Sequence, residues 1–248
     1  AGAALLFGLS LLLISAAAAG ATSNSPAEIM QRVDEQRGPD TSRARMIMRI
    51  FRDAGSSDYD REVRMLSYGR GTEESHIEFV TPRNIRGLRV LDLDGAIRVF
   101  FPSTSRVRNI SGTARSGSVG GVGGDFTYED MGGSGFATDY GGFTMEDDTG
   151  DVWIISGVPK DDDSQYSRLV FHIEQDRYVP VRIDYFENGT QVKRLDAGRI
   201  QSIAGRYVAT DLTMHNLAEN SRTAIRMQDV EWDVSLDADL FDPNRFHR

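Results

Sequence analysis

Leu88-Arg89-Val90-Leu91-Asp92-Leu93-Asp94-Gly95-Ala96-Ile97-Arg98-Val99-Phe100-Phe101 is the stretch from which the fold can be read. Two apolar runs flank Asp94-Gly95, a pair suited to the left-handed backbone of a tight hairpin turn. Beyond the turn Ile97, Val99 and Phe101 share one face, because side chains of a strand point alternately to opposite sides. The spacing predicts a β-hairpin over residues 88–101.

The same period continues in both directions. Upstream, Ala44, Met46, Met48 and Ile50 lie opposite Arg45 and Arg49, and Val63 and Met65 alternate with Glu62 and Arg64. Ile77 and Phe79 alternate with His76 and Glu78 until Pro82 breaks the run. Downstream, residues 143–146 and 152–156 pair across Asp148-Thr149-Gly150. Residues 168–173, 181–186 and 192–203 make a meander with Asn188-Gly189 at its second turn, and 207–214 pairs with 223–232. About ten or eleven antiparallel strands are predicted. Helix signals are few: the sparse apolar spacing of Phe126, Tyr128 and Met131 could make one helical turn or two, and one amphipathic helix is clear near the N-terminal end. Ser25 caps, Pro26 takes the first helical position, Glu28 closes a capping box, Ile29, Met30 and Val33 form the apolar stripe, and Gly38-Pro39 ends it.

Composition narrows the function. The 248 residues fit one β-rich domain. With 37 acidic against 28 basic side chains and a formal charge of −9, the overall balance argues against a nucleic-acid partner, which requires a basic face. Docking on anionic lipid needs clustered Lys and Arg and is equally disfavoured. There is no cysteine, hence no disulfide, no thioether-linked lipid and no zinc ribbon. The four histidines, His76, His172, His215 and His247, are scattered, and no nucleotide-binding glycine loop or nucleophile elbow occurs. No cofactor and no metal are expected. Residues 1–21 carry no charge and run from an apolar core (Leu5 to Ile14) into Ala16 to Ala21, the pattern of a secretory signal peptide whose start is clipped. This predicts export and a soluble periplasmic protein.

Residues 111–142 interrupt the strands with eleven glycines and predict a mobile loop or lid. Within it Asp125, Glu129 and Asp130 stand beside Phe126, Tyr128 and Met131. Paired carboxylates next to aromatic rings can hydrolyse glycosides, but that chemistry needs rigid support, so capping or ion pairing is the favoured role. The apolar faces say more. One short helix cannot cover so much sheet, and eight methionines, adaptable to irregular apolar guests, are spread over nearly every element. A hydrophobic guest is predicted in the concavity, with Met46, Met48, Ile50, Met65, Phe79, Val99, Phe101, Leu212, Met214 and Met227 as its lining and Asp125, Phe126, Tyr128, Glu129, Asp130 and Met131 as the gate.

Gly124-Asp125-Phe126-Thr127-Tyr128-Glu129-Asp130-Met131 resembles the GSDFSYEDL signature of the outer-membrane lipoprotein-sorting protein family, a LolA-like group. Softer landmarks agree in order: Pro82 to Gly87, Phe101-Pro102 ahead of Arg106 and Ile110, Tyr166 opening a strand, Val181 to Phe186 with Gly189 and Lys193, and Leu240-Phe241. The resemblance spans about residues 25–246, with Thr127 where Ser is common and an unusually glycine-rich approach from Gly117 to Gly124. It implies an incomplete antiparallel β-barrel plugged by helices. It also implies a monomeric periplasmic carrier of lipoprotein acyl chains or lipid, working between an inner-membrane exporter and an outer-membrane acceptor. Two other readings stay open: a secreted carbohydrate-active enzyme with paired carboxylates, and a ligand-free assembly module of an exporter.

Overall fold

The computed structural model describes residues 24–37, 40–132 and 135–248. The apolar leader, the Gly38-Pro39 helix stop and Gly133 lie outside the described residues. Helix α1 spans Pro26–Arg37 and opens with the expected reciprocal cap. The Ser25 amide donates to Glu28 Oε2 at 2.7 Å, and the Glu28 amide donates to Ser25 Oγ at 3.3 Å.

The rest is mainly one open antiparallel sheet. Its first run is β1 (Thr41–Phe51), β2 (Arg61–Arg70), β3 (Glu74–Thr81), β4 (Arg89–Leu93), β5 (Ala96–Phe101) and β6 (Arg106–Ile110). Its second is β7 (Tyr140–Asp147), β8 (Val152–Pro159), β9 (Arg168–Glu174), β10 (Val179–Glu187), β11 (Thr190–Ile203), β12 (Arg206–Asn216) and β13 (Ser221–Trp232). Neighbours in sequence are neighbours in the sheet within each run, β1 pairs with β13 to join the two, and β6 and β7 are the free edges. The described residues thus hold thirteen strands instead of the ten or eleven expected. The strand with no counterpart in the sequence reading is β6, Arg106-Val107-Arg108-Asn109-Ile110, whose first four residues are all exposed, so burial imposes no alternation on it.

Turn chemistry sets the register. Asp94 and Asn188 take φ of 51° and 49°, and Gly95 and Gly189 follow at 79° and 82°, the left-handed pair of a two-residue hairpin. Val99 then lies opposite Val90, and Leu195 opposite Ile183. Inward residues of both runs join a single apolar cluster, which requires the sheet to curl around them. In the half built by β1 to β5 the concave side is solid: Met48, Val63, Met65, Phe79 and Val99 are packed with Val119, Val122 and Phe126 from the segment after β6. Each such side chain contributes about 1.5–3 kcal/mol by leaving water.

On the opposite face of β2 to β4 the C-terminal tail makes a smaller core in which Leu91 packs with Phe241 and Phe246. Arg89 Nη1 latches this tail by donating to the carbonyls of Phe246 and Arg248 at 3.2 and 2.9 Å. Beneath it lies His76, only 1% exposed, its ring 6.0 Å from that of Phe246 and 5.8 Å from that of Tyr68. Neither ring nitrogen has a hydrogen-bond partner among the described residues. Burial first, and then the Arg89 charge, push the His76 pKa down to about 4. An unfolded histidine titrates near ~6.5, so between these values the unfolded chain binds the extra proton. Stability is full above about pH 6.5 and falls by on the order of 3 kcal/mol as pH drops to about 4. Urea unfolding of His76→Phe against the parent at pH 7 and pH 4.5 checks this: the parent should lose stability on acidification that the variant keeps.

Candidate ligand-binding site

Residues 111–139 carry the chain from one free edge of the sheet to the other. The crossing holds a 3-10 turn (Gly112–Ser116), α2 (Tyr128–Met131) and α3 (Phe136–Asp139). Where glycine content predicts looseness, the structure shows a segment tied to the sheet. Gly124 has φ of +89°, and a Cβ there would sit 2.9 Å from Thr223 Oγ1, so glycine lets the backbone lie directly on β13. Next to it the Asp125 carboxylate accepts from the hydroxyls of Ser221 and Thr223, and its amide donates to Thr223 Oγ1 at 3.0 Å.

Asp130 is the second anchor. It completes a capping box with Thr127 at the start of α2. Its Oδ1 accepts from the Tyr166 hydroxyl at 2.6 Å, and its Oδ2 accepts from Lys193 Nζ at 2.8 Å. The side chains of Lys193 and Asp130 are 9% and 0% exposed, so this is a buried ion pair joining the crossing to β11. Lys193 also donates to the Tyr166 oxygen at 3.0 Å. Burial, reinforced by the Asp130 charge, drives the Tyr166 phenol far above its ordinary pKa and keeps it neutral. Glu129 turns the other way, accepting from Ser164 Oγ and from the Gln165 amide at 3.2 Å. The acidic signature is therefore a set of ties from the crossing to β11, to β13 and to the connection between β8 and β9.

Behind these ties lies a cavity of about 680 Å³, within the range of small-molecule sites. Val33 of α1, Phe126, and Phe136 of α3 close it on one side. Opposite them stand Tyr166 and Leu169, Ile183 and Tyr185 of β10, Leu195 and Ala197 of β11, Ala209 and Leu212 of β12, and Met227 and Trp232 of β13. Charged groups at this wall are engaged: Arg115 pairs with Asp161, and Lys160 Nζ donates to the Ala137 carbonyl at 3.0 Å. Burial also raises the Tyr140 phenol well above its usual value, with the Glu129, Asp130 and Asp139 charges adding to the effect. The floor formed by β10 to β13 is thus largely apolar and aromatic, while Asp94, Arg115, Glu129, Asp139, Lys160 and Arg182 place charge elsewhere on the wall, an arrangement suited to a guest with a hydrocarbon body and a polar end. Asp34 fixes one wall, accepting from the Phe136 and Ala137 amides at 2.8 and 2.6 Å and so holding α3 on α1.

The sequence-derived candidates divide between two places. Leu212 and Met227, with Phe126, Glu129 and Asp130, line the cavity. Met48, Ile50, Met65, Phe79, Val99 and Met214 are buried in the main core, with Met46 and Phe101 partly buried against it. Asp125 and Tyr128 are buried, and Met131 packs on the core. Sequence reasoning did not single out Phe136, Tyr140, Tyr166, Tyr185, Leu195 or Trp232 as cavity residues. The inward alternation of β9 to β11 was the signal available for several of them. Among the described residues no group of three or more His, Asp or Glu could hold a metal ion, and no helix is long and apolar enough to cross a membrane.

A family model described as "Uncharacterized protein" matches residues 71–248. No curated protein matches the chain. Among solved structures, a DUF1329 family protein from Desulfovibrio piger is 23% identical with a TM-score of 0.78, covering 88% of this chain and 96% of its own. An outer membrane lipoprotein-sorting protein domain from Vibrio parahaemolyticus is 23% identical with a TM-score of 0.77, covering 90% and 98%. A LolA superfamily protein from Nitrosomonas europaea is 19% identical with a TM-score of 0.74, covering 90% and 99%. At such identities the likeness is one of fold. By the match over residues 71–248 the chain belongs to the family described as "Uncharacterized protein", and its architecture is that of the LolA-like, outer-membrane lipoprotein-sorting proteins.

Proposed function

We propose that this protein is a periplasmic carrier that shelters the acyl chains of a lipid or lipoprotein and hands them toward the outer membrane. The observation that supports it is the unequal filling of one curled sheet: solid beneath β1 to β5, and an aromatic cavity of about 680 Å³ beneath β9 to β13. On this reading the open sheet is an incomplete barrel, residues 111–139 span its gap as the lid, and Leu212, Met227 and Phe126 touch the guest. The Asp125 and Asp130 ties would then be the points at which the lid is held shut.

Energetics make such a carrier dependent on others. Each methylene moved out of water is worth about 0.8 kcal/mol, so a chain of roughly fourteen carbons gains on the order of 10 kcal/mol. A bilayer offers the same, hence net direction must come from an exporter that loads the pocket and an acceptor that empties it. A carbohydrate-active enzyme is less well supported, because the oxygens of Asp125, Glu129 and Asp130 are already committed to hydroxyl, amide and ammonium donors. The deciding measurement is native mass spectrometry and organic extraction of protein purified without detergent. Acyl lipid should be recovered in near-stoichiometric amount; a preparation from periplasm that carries none and takes up none from vesicles refutes the reading.

A further inference from the structure

Charge is divided unevenly along this acidic chain. Residues 81–124 contain seven arginines against two aspartates, although the formal charge of the whole is −9. Arg83, Arg86, Arg106 and Arg108 are exposed, and none of the four forms an ion pair among the described residues. Arg86, Arg106 and Arg108 come from neighbouring segments. Arg106 and Arg108 sit on β6 opposite Phe101 and Val99, so both project from the same face, and Arg108 stacks 5.3 Å from the centre of the Phe101 ring. Arg86 adjoins Gly87, where a Cβ would lie 3.7 Å from Pro102 in the turn leading to β6.

The strand bearing two of these arginines is a free edge. β6 pairs with β5 alone, leaving a row of backbone donors and acceptors on its other side. Between the arginines, and on the opposite face, Val107 is 38% exposed. Pairing of two β6 edges from two copies would bring arginine near arginine and is disfavoured. A strand of opposite pattern satisfies every feature at once. Its backbone completes the ladder, alternate carboxylates meet Arg106 and Arg108, and an intervening apolar side chain covers Val107.

We propose that β6 is a docking edge for an extended segment of a partner protein with acidic residues at alternate positions and apolar residues between them, added as a further strand. The surface lies apart from the cavity residues of the second run, so the proposal stands whether or not the carrier reading does. The test uses the full chain and two labelled nine-residue peptides of one composition, the first alternating Glu with Val and Thr, the second with its Glu residues contiguous. The alternating peptide should bind at least about tenfold more tightly by fluorescence anisotropy, and its binding should slow amide exchange at residues 106–110. Arg106→Glu/Arg108→Glu should remove that binding, with Arg106→Gln/Arg108→Gln as the milder variant if the reversal perturbs folding. Equal affinity for the two peptides, or no protection at 106–110, overturns the proposal. It is likewise overturned if phosphatidylglycerol vesicles bind through these arginines while the alternating peptide does not, or if the edge proves to be occupied by a second copy of the chain in sedimentation.

Discussion

Asp130→Ala lowers the stability of this protein by about 3–5 kcal/mol, the cost expected when one member of a buried ion pair is removed and the other is left without its counter-charge. Three donors lose their acceptor together: the Thr127 amide, the Tyr166 hydroxyl and Lys193 Nζ, at 2.9, 2.6 and 2.8 Å. The ammonium suffers most, because its side chain is only 9% exposed and cannot recover hydration. Lys193→Met alone should also destabilise. Combining Asp130→Asn with Lys193→Met should restore part of the loss, with a coupling of about 1–3 kcal/mol in a double-mutant cycle by urea unfolding. A cost below about 1 kcal/mol for Asp130→Ala would mean that the crossing is held chiefly by its apolar residues.

If the cavity holds the guest as proposed, Ala197→Trp should abolish fatty-acid uptake while leaving a folded protein. Ala197 on β11 lies directly opposite Leu212 on β12, and both line the cavity, so the indole enters the space in which the guest would lie. A substitution into empty volume displaces little protein, and the stability change should stay within about 1.5 kcal/mol. Capture of a fluorescent fatty acid should fall at least about tenfold against the parent. Unchanged capture would remove this cavity as the site, and with it the main support for a carrier.

How far the sequence could be read is best judged strand by strand. Wherever a strand has one buried face the period-two signal names it, as with Met46 to Ile50 or Leu88 to Phe101; β6 escapes because both of its faces meet water. The Asp125 to Met131 signature was legible as a family mark and as a capping segment, yet its partners were not. Ser221, Thr223 and Lys193 lie 60 or more positions away, and no local rule links them to it. The lining illustrates the deeper difficulty. Alternation tells which residues of Met48, Met65, Phe79, Val99, Leu212 and Met227 point inward, but not which inward residues meet protein and which meet space. That depends on the course of Val119, Val122 and Phe126, a segment whose glycines carry no periodic signal.

The pairing of β1 with β13 has a bearing on how the chain assembles. Every other strand pair joins sequence neighbours, whereas this one brings Ser42 beside Trp232. Two zippers can therefore close early and independently, one over the first six strands and one over the last seven, while the single joint between them waits for the final strand to be made. Until then the flank of β1 is a bare strand edge, which makes that interval of biosynthesis the moment of greatest exposure to aggregation and the step at which a holdase would matter most.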